Sequence, residues 1–225
     1  MTKRRTILLV ALLCSASLFV PPLGAQEPVT PPARPFGVVE GHWRPAATQE
    51  LGVSWDRITF DWSRFQPNGP GDFDADAVRR EWLPPDADGN REIVGMIINT
   101  PAWASESGSP TAVPDGLYLP PENPENFWAV FTRQLAETYA PQGVHRWIIW
   151  DDIDIGRRDP GNTFNGSVED YYRLIKVAHQ AITAVDDEAE IYLGGLVWWH
   201  DIAFERPNYL GRLLATILDD PTAPD

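Results

Sequence analysis

Five times along this chain a short apolar run gives way to a segment with helical spacing, and that alternation limits the fold more than any other feature. A first strand is expected at residues 36–43, "FGVVEGHW". A short helix follows in "RPAATQELG", with Pro45 near its start and Gly52 as its stop. "VSWDRITFDWSRFQP" opens as a second strand, with Trp55, Arg57, Thr59 and Asp61 on one side and Ile58, Phe60 and Trp62 on the other. "DFDADAVRREWL" reads as a helix whose first turn is acidic, where the helix dipole favours negative charge. "REIVGMIINTPAW" is a third strand, apolar enough to be buried on both faces. After a Pro/Gly/Ser loop over residues 104–121, Asn123 and Pro124 supply an N-cap and a first-turn proline. The helix "ENFWAVFTRQLAETYA" then repeats Phe127, Phe131 and Leu135 at every fourth residue. "GVHRWIIW" is a fourth strand. Ser167 and Asp170 form a capping signal for a helix with Tyr171, Leu174, Ala178, Ile182 and Val185 on one stripe. "AEIYLGGLVWW" is a fifth strand and "PNYLGRLLATILDD" a fifth helix.

Strand–helix units in series call for a parallel sheet with right-handed crossovers, hence an α/β fold. Two architectures remain open: a doubly wound sheet, or part of a parallel (β/α)8 TIM-type barrel. "EGHWRP" after the first strand is not a glycine-rich phosphate loop, which counts against nucleotide binding and leaves no cofactor expected.

The segment before the first strand has a different character. Lys3, Arg4 and Arg5 precede an apolar run too short for a comfortable membrane span, and Gly24 and Ala25 follow Pro21 and Pro22. Residues 1–25 read as a signal peptide, with an uncleaved anchor as the alternative, and residues 26–35 as a Pro-rich linker. The single cysteine, Cys14, falls in the signal segment, and Leu13 before it disfavours a lipoprotein site. The expectation is a secreted or periplasmic protein with no disulfide and no stable membrane span after cleavage, its one domain at residues 36–225. With 32 acidic residues against 18 basic ones, the chain should repel nucleic acid and anionic lipid.

In parallel α/β folds the chemistry gathers at the C-terminal ends of the strands. Those ends carry Glu40, His42 and Trp43; Asp61, Trp62 and Arg64; Asn99, Trp103 and Glu106; Trp150, Asp151 and Asp152; and Trp198, Trp199, His200 and Asp201. Six of the ten tryptophans and a carboxylate at every tip make a rim suited to sugar rings: indoles cover C–H faces, and carboxylate, Asn, His and Arg bond hydroxyls. Carbohydrate is the expected partner. Trp62 and Trp150 have an equal reading as core. His42, His200 and Asp201 lack a metal-ligand spacing, and "DDIDIGRRD" lacks that of a calcium loop, so no metal is expected.

Over residues 36–225 the chain resembles the clan A retaining glycoside hydrolases, close to the β-xylosidase and cellulase-like branches. "LGVSWDRITFDWSRFQP", "NTPAWAS", "PPENPENFWAVFTRQLAETYA", "GSVEDYYRLIKVAHQAI" and "LGGLVWW" carry the likeness, in order. The resemblance implies that Asp152 stands at the general acid/base position and Asp151 at the asparagine that contacts the sugar 2-hydroxyl. Arg57 orders the site. On the strand-end reading, Glu40, His42, Trp43, Trp103, Trp150, Trp198 and His200 are the residues expected to line the substrate. The family ends its fourth strand Trp-Asn-Glu-Pro, whereas this chain has Trp150-Asp151-Asp152-Ile153. Asp152 is one methylene shorter than glutamate, drawing its carboxyl back about 1.5 Å, and a shift of ~1 Å costs on the order of 10²-fold in rate. The neighbouring Asp151 would raise one pKa of the pair and keep a proton on Asp152. The family's nucleophile comes from a seventh strand, so the resemblance also implies a barrel truncated after about five units. Asp61, Glu40 and Glu106 are the alternative second carboxylates. Three readings therefore stand: a β-glycoside hydrolase, a non-catalytic glycan-binding relative, and a structural or partner-binding surface protein with tryptophan in its core.

Overall fold

The computed structural model describes residues 36–78 and 91–224. The expected signal peptide and linker, Cys14 included, lie outside them. The strands are β1 (Gly37–Val39), β2 (Trp55–Asp61), β3 (Glu92–Ile98), β4 (Arg146–Ile149) and β5 (Glu190–Leu193). The helices are α1 (Pro45–Leu51), α2 (Trp62–Phe65), α3 (Phe127–Tyr139), α4 (Val168–Thr183), α5 (Trp199–Ala203) and α6 (Tyr209–Leu218). The sheet runs β1-β2-β3-β4-β5 with every neighbouring pair parallel. A doubly wound sheet reverses its order at a switch point; this one steps in one direction throughout. The chain is thus an α/β protein of the barrel type, holding five consecutive strand–helix units.

Alternation sorts the two faces of the sheet. Ile58, Phe60, Ile93, Ile97, Trp147 and Ile149 are buried and form one core with α3 and α4. Phe60 meets Tyr139 and Trp147 edge-on, each at 5.0 Å between ring centroids. Gly95 of β3 permits this: a Cβ there would stand 2.5 Å from the Trp147 ring and 3.1 Å from Phe60. The opposite face carries Arg57, Thr59 and Asp61 of β2, all half-buried, and these lead to the strand ends.

Local signals are realised where they close a bond within a few residues. Gly52 ends α1 in the left-handed region at φ 62°. Ser167 and Asp170 complete both halves of a capping box on α4. Where tertiary contacts compete, the elements move. β1 is only three residues long, and residues 41–43 turn into a 3-10 helix. Residues 72–78 form turns and bends where a helix was expected; the rest of that segment lies outside the described residues. The cap of α3 is Asn126, not Asn123. Asn126 accepts from the Ala129 amide and also donates to the carbonyl of Leu119, so the preceding loop chooses the start. Val185 lies beyond the end of α4 and is exposed. β5 stops at Leu193, and Trp199 opens the short helix α5 instead of ending a strand.

Candidate active site

Backbone strain marks the strand ends. Among the described residues, non-glycine positive φ angles occur at Glu40 (55°) after β1, Asn99 (67°) after β3, and Trp150 (69°) and Asp152 (47°) after β4, with Glu205 as the one case elsewhere. Asn and Asp tolerate this region; for a tryptophan it is an outlier costing on the order of 1–3 kcal/mol, and such strain gathers at functional sites. The turn at Trp150 has a direct consequence. Strict alternation would send Asp151 and Asp152 to opposite faces, but β4 has ended at Ile149. Both carboxyls face the tip of β5. A Cβ on Gly195 would lie 2.4 Å from Asp151 Oδ1 and 3.5 Å from Asp152 Oδ1.

Several contacts hold this turn. The Trp150 amide donates to Ile97 O at 2.8 Å, and its indole N–H donates to Thr163 O at 2.8 Å. The Thr163 hydroxyl donates back to the carbonyl of Asp151. Tyr171 donates its hydroxyl to Ile149 O at 2.7 Å and accepts from the Gly194 amide at 2.7 Å, tying the ends of β4 and β5 together. Gly194 has no room for a side chain, since a Cβ would stand 2.6 Å from Trp150 O.

Charge around the pair is unevenly shared. Arg57 Nη1 lies 4.0 Å from Asp151 Oδ2. Burial, then the charges of Asp151 and Asp154, push Asp152 above the ordinary carboxylate range, while Arg57 and His200 oppose them. The shift is in the direction a general acid needs. Further round the rim, Glu40 Oε1 accepts from the Thr59 amide at 2.9 Å and from its hydroxyl at 2.6 Å. His42 Nε2 stands 3.5 Å from Glu40 Oε2, and burial lowers the imidazole pKa. Asp61 caps α2 through the Ser63 amide and accepts from Asn99 Nδ2 at 3.0 Å. Contacts Glu40–Thr59, Asp61–Asn99, Arg57–Asp151 and the Gly195 approach thereby link the ends of all five strands.

The aromatic residues divide. Trp43 and Trp198 are 74% and 63% exposed and free to stack on a ligand. Trp103 is half-buried, its N–H donated to Gln66 O and its ring edge-on to Trp62 and Phe127. Trp150 is fully buried among Trp128 and Phe164, so it is core, which corrects its assignment to the sugar-facing set; Trp62 is core as well. His200 is also buried, against Trp199 and Phe204, and acts on Asp152 by charge. The carboxylates of Glu40 and Asp61 are occupied as described, and Glu106 is exposed. Asp154, Thr163, Tyr171 and Gly195 were not anticipated as site residues. Only the Gly194-Gly195 pair left a signal, since adjacent glycines at a strand end mark a close backbone approach. Among the described residues, no group of three or more His, Cys, Asp and Glu is placed to hold a metal ion, and no helix is long and apolar enough to cross a membrane.

No family model matches the sequence, and no curated protein does. Solved structures do match its fold. A glucosidase from Croceicoccus marinus aligns over 78% of this chain and 36% of its own, at TM-score 0.52 and 13% identity. Fpglu1 from Fervidobacterium pennivoraus aligns over 79% and 48%, at 0.52 and 14%. The GH5_18 protein of Streptomyces cattleya, solved with Manβ1-4GlcNAc, aligns over 68% and 38%, at 0.51 and 14%. The chain thus spans less than half the length of each of these structures. The likeness is one of fold: the five-unit parallel α/β arrangement is shared with glycoside hydrolases.

Proposed function

We propose that this chain is a secreted, glycoside hydrolase-type protein that binds a β-linked saccharide at the C-terminal ends of its strands, with Asp152 as the acid/base. The observation that carries the reading is the β4 turn. It brings Asp151 and Asp152 to one side, sets Arg57 against Asp151, and surrounds Asp152 with burial and negative charge that raise its pKa. Asp152 would protonate the glycosidic oxygen and later activate water. Asp151 would bond the 2-hydroxyl, with Trp43 and Trp198 stacking on sugar rings. Retaining chemistry also needs a nucleophile carboxylate about 5–5.5 Å from the acid. The resemblance assigns that group to a seventh strand, so the five strands described here supply the acid half of the machinery.

The test is turnover of aryl β-glycosides by the full-length gene product, its Asp152→Asn variant and its Asp152→Glu variant. Asparagine should abolish turnover. Glutamate should raise it, on the order of 10²-fold if reach is what limits Asp152. Turnover unaffected by Asp152→Asn removes Asp152 from the mechanism. A second reading is a non-catalytic glycan binder, favoured by the Asp151-Asp152 pair standing where the resemblance has Asn-Glu and by the engagement of Glu40 and Asp61 with their neighbours. Saturable oligosaccharide binding without turnover in any of the three proteins selects it.

A further inference from the structure

The parallel ladder between β4 and β5 is interrupted at its last rung. The Glu190 amide donates directly to His145 O at 2.8 Å, whereas the Trp150 amide points the other way, donating to Ile97 O of β3 at 2.8 Å. Odd-numbered carbonyls from His145 onward therefore face β5. Parallel rungs repeat every two residues on both strands, and Ile149 is level with Leu193, so the rung that would close the ladder runs from the Gly194 amide to Ile149 O. Two bonds stand in its place. The Gly194 amide donates to the Tyr171 hydroxyl at 2.7 Å, and that hydroxyl donates on to Ile149 O at 2.7 Å. A phenol oxygen is spliced between the strands at the point where both end.

Several features fix that oxygen. Tyr171 lies in the first turn of α4, whose start is set by the Ser167–Asp170 capping box. Its side chain is fully buried, edge-on to Phe164 at 5.9 Å and tilted against Tyr209 at 6.5 Å between ring centroids. Burial pushes its pKa well up, so it stays a protonated phenol that donates and accepts at once. The residues just past the splice belong to the acid pair. Trp150 follows Ile149 and turns left-handed into Asp151 and Asp152. Gly195 follows Gly194, and a Cβ there would lie 2.4 Å from Asp151 Oδ1. The width of the splice therefore sets how far the β5 tip stands from the two carboxyls. Asp151, Asp154, Arg57 and His200 are the charged groups that act on Asp152; Tyr209 and Asp151 are those that act on Tyr171.

We propose that Tyr171 is a positioning residue for the Asp151–Asp152 pair, its hydroxyl setting the gap between the β4 and β5 tips in which the pair stands. Its part in a reaction rests on the acid/base reading of Asp152. The test is NMR titration of the Asp152 carboxyl in the full chain, in Tyr171→Phe and in Tyr172→Phe. Phenylalanine at 171 keeps the ring, so the direct rung cannot close. Water takes the place of the hydroxyl and lessens the burial of Asp152, the largest cause of its raised pKa. The Asp152 midpoint should fall in Tyr171→Phe toward the ordinary aspartate value of about 3.9. It should hold the parent value in Tyr172→Phe, where the next residue of the same helix loses a hydroxyl bonded at 2.8 Å to Asp220. An unchanged or raised midpoint in Tyr171→Phe, or an equal fall in both variants, overturns the proposal. A second measurement leaves position 171 intact. In the parent protein the chemical shift of the Gly194 amide should inflect at the Asp152 midpoint, and that inflection should vanish in Asp152→Asn, because coupling between two sites is reciprocal. A Gly194 amide that does not follow Asp152 also overturns it. Both readouts are taken without substrate, so a failure of glycoside turnover, which bears on the acid/base reading, is a separate result.

Discussion

Arg57 of β2 reaches Asp151 beyond the end of β4, Nη1 to Oδ2 at 4.0 Å, across the full width of β3. In register, Arg57 is level with Val94, and Val94 with Arg146. A flat sheet with β4 extended would put Asp151 about 10 Å across and about 16 Å further along. The turn at Trp150 and the curl of the sheet bring the two charges together. The strand-end electrostatics are therefore a property of the curved sheet, and they predict opposite effects for two substitutions. Asp151→Asn removes a charge that raises the Asp152 pKa, and Arg57→Ala removes one that lowers it. Titration of the Asp152 carboxyl by NMR should move down in the first variant and up in the second. Movement in the same direction in both would contradict the assignment of causes.

The raised Asp152 pKa also makes a prediction for stability. An acid whose pKa is higher in the folded state than in the unfolded chain contributes stability below the unfolded value, about 3.9 for aspartate, and loses it as pH rises through the folded value. At pH 7 the ionised carboxylate opposes folding. Asp152→Asn cannot ionise there, so its melting temperature should exceed that of the parent protein at pH 7. The difference should vanish below about pH 4. Thermal melts across that range, with the fold reversible at both ends, are the measurement. A variant less stable at pH 7 would contradict it.

The two glycines after β5 should respond differently to alanine. At Gly194 the added Cβ meets the Trp150 carbonyl, which is backbone in a strained turn and cannot yield. Gly194→Ala should cost about 1–3 kcal/mol by chemical denaturation. At Gly195 the nearest atom is the end of the Asp151 side chain, which can rotate away. Gly195→Ala should change stability by less than about 1 kcal/mol yet weaken oligosaccharide binding, because the Asp151 carboxyl is displaced from Arg57.

Tryptophan replacements should separate the core from the rim. Trp150→Ala leaves a cavity among Trp128 and Phe164 and an unpaired Thr163 carbonyl, and should cost about 3–5 kcal/mol. Trp43→Ala and Trp198→Ala remove exposed rings and should leave stability within about 0.5 kcal/mol. Their effect should fall on saccharide binding, read by titration with oligosaccharides. Equal destabilisation by all three would place the exposed pair in the core and support the structural reading of the tryptophans.

Much of the fold was legible because its causes are local. The 2-residue alternation of β2, the Gly52 stop and the Ser167–Asp170 capping box act within one turn or one strand, and each appears as read. The apolar segments chosen as strands are the five that pair, in sequence order. Errors fell where a distant partner decides. Asn126 caps α3 because the Leu119 carbonyl holds it. Trp150 is buried because Trp128 and Phe164 close over it.

The amino-acid sequence alone determined the parallel strand–helix repeat and put carboxylates and indoles at the strand ends, since periodicity and capping are short-range properties. Only the tertiary structure decided which of those groups meet. Whether Asp151 and Asp152 face the same way depends on the left-handed backbone angles at Trp150 and Asp152, and the first is held by Ile97, Thr163 and the packing around the indole, contacts that no local pattern of residues encodes.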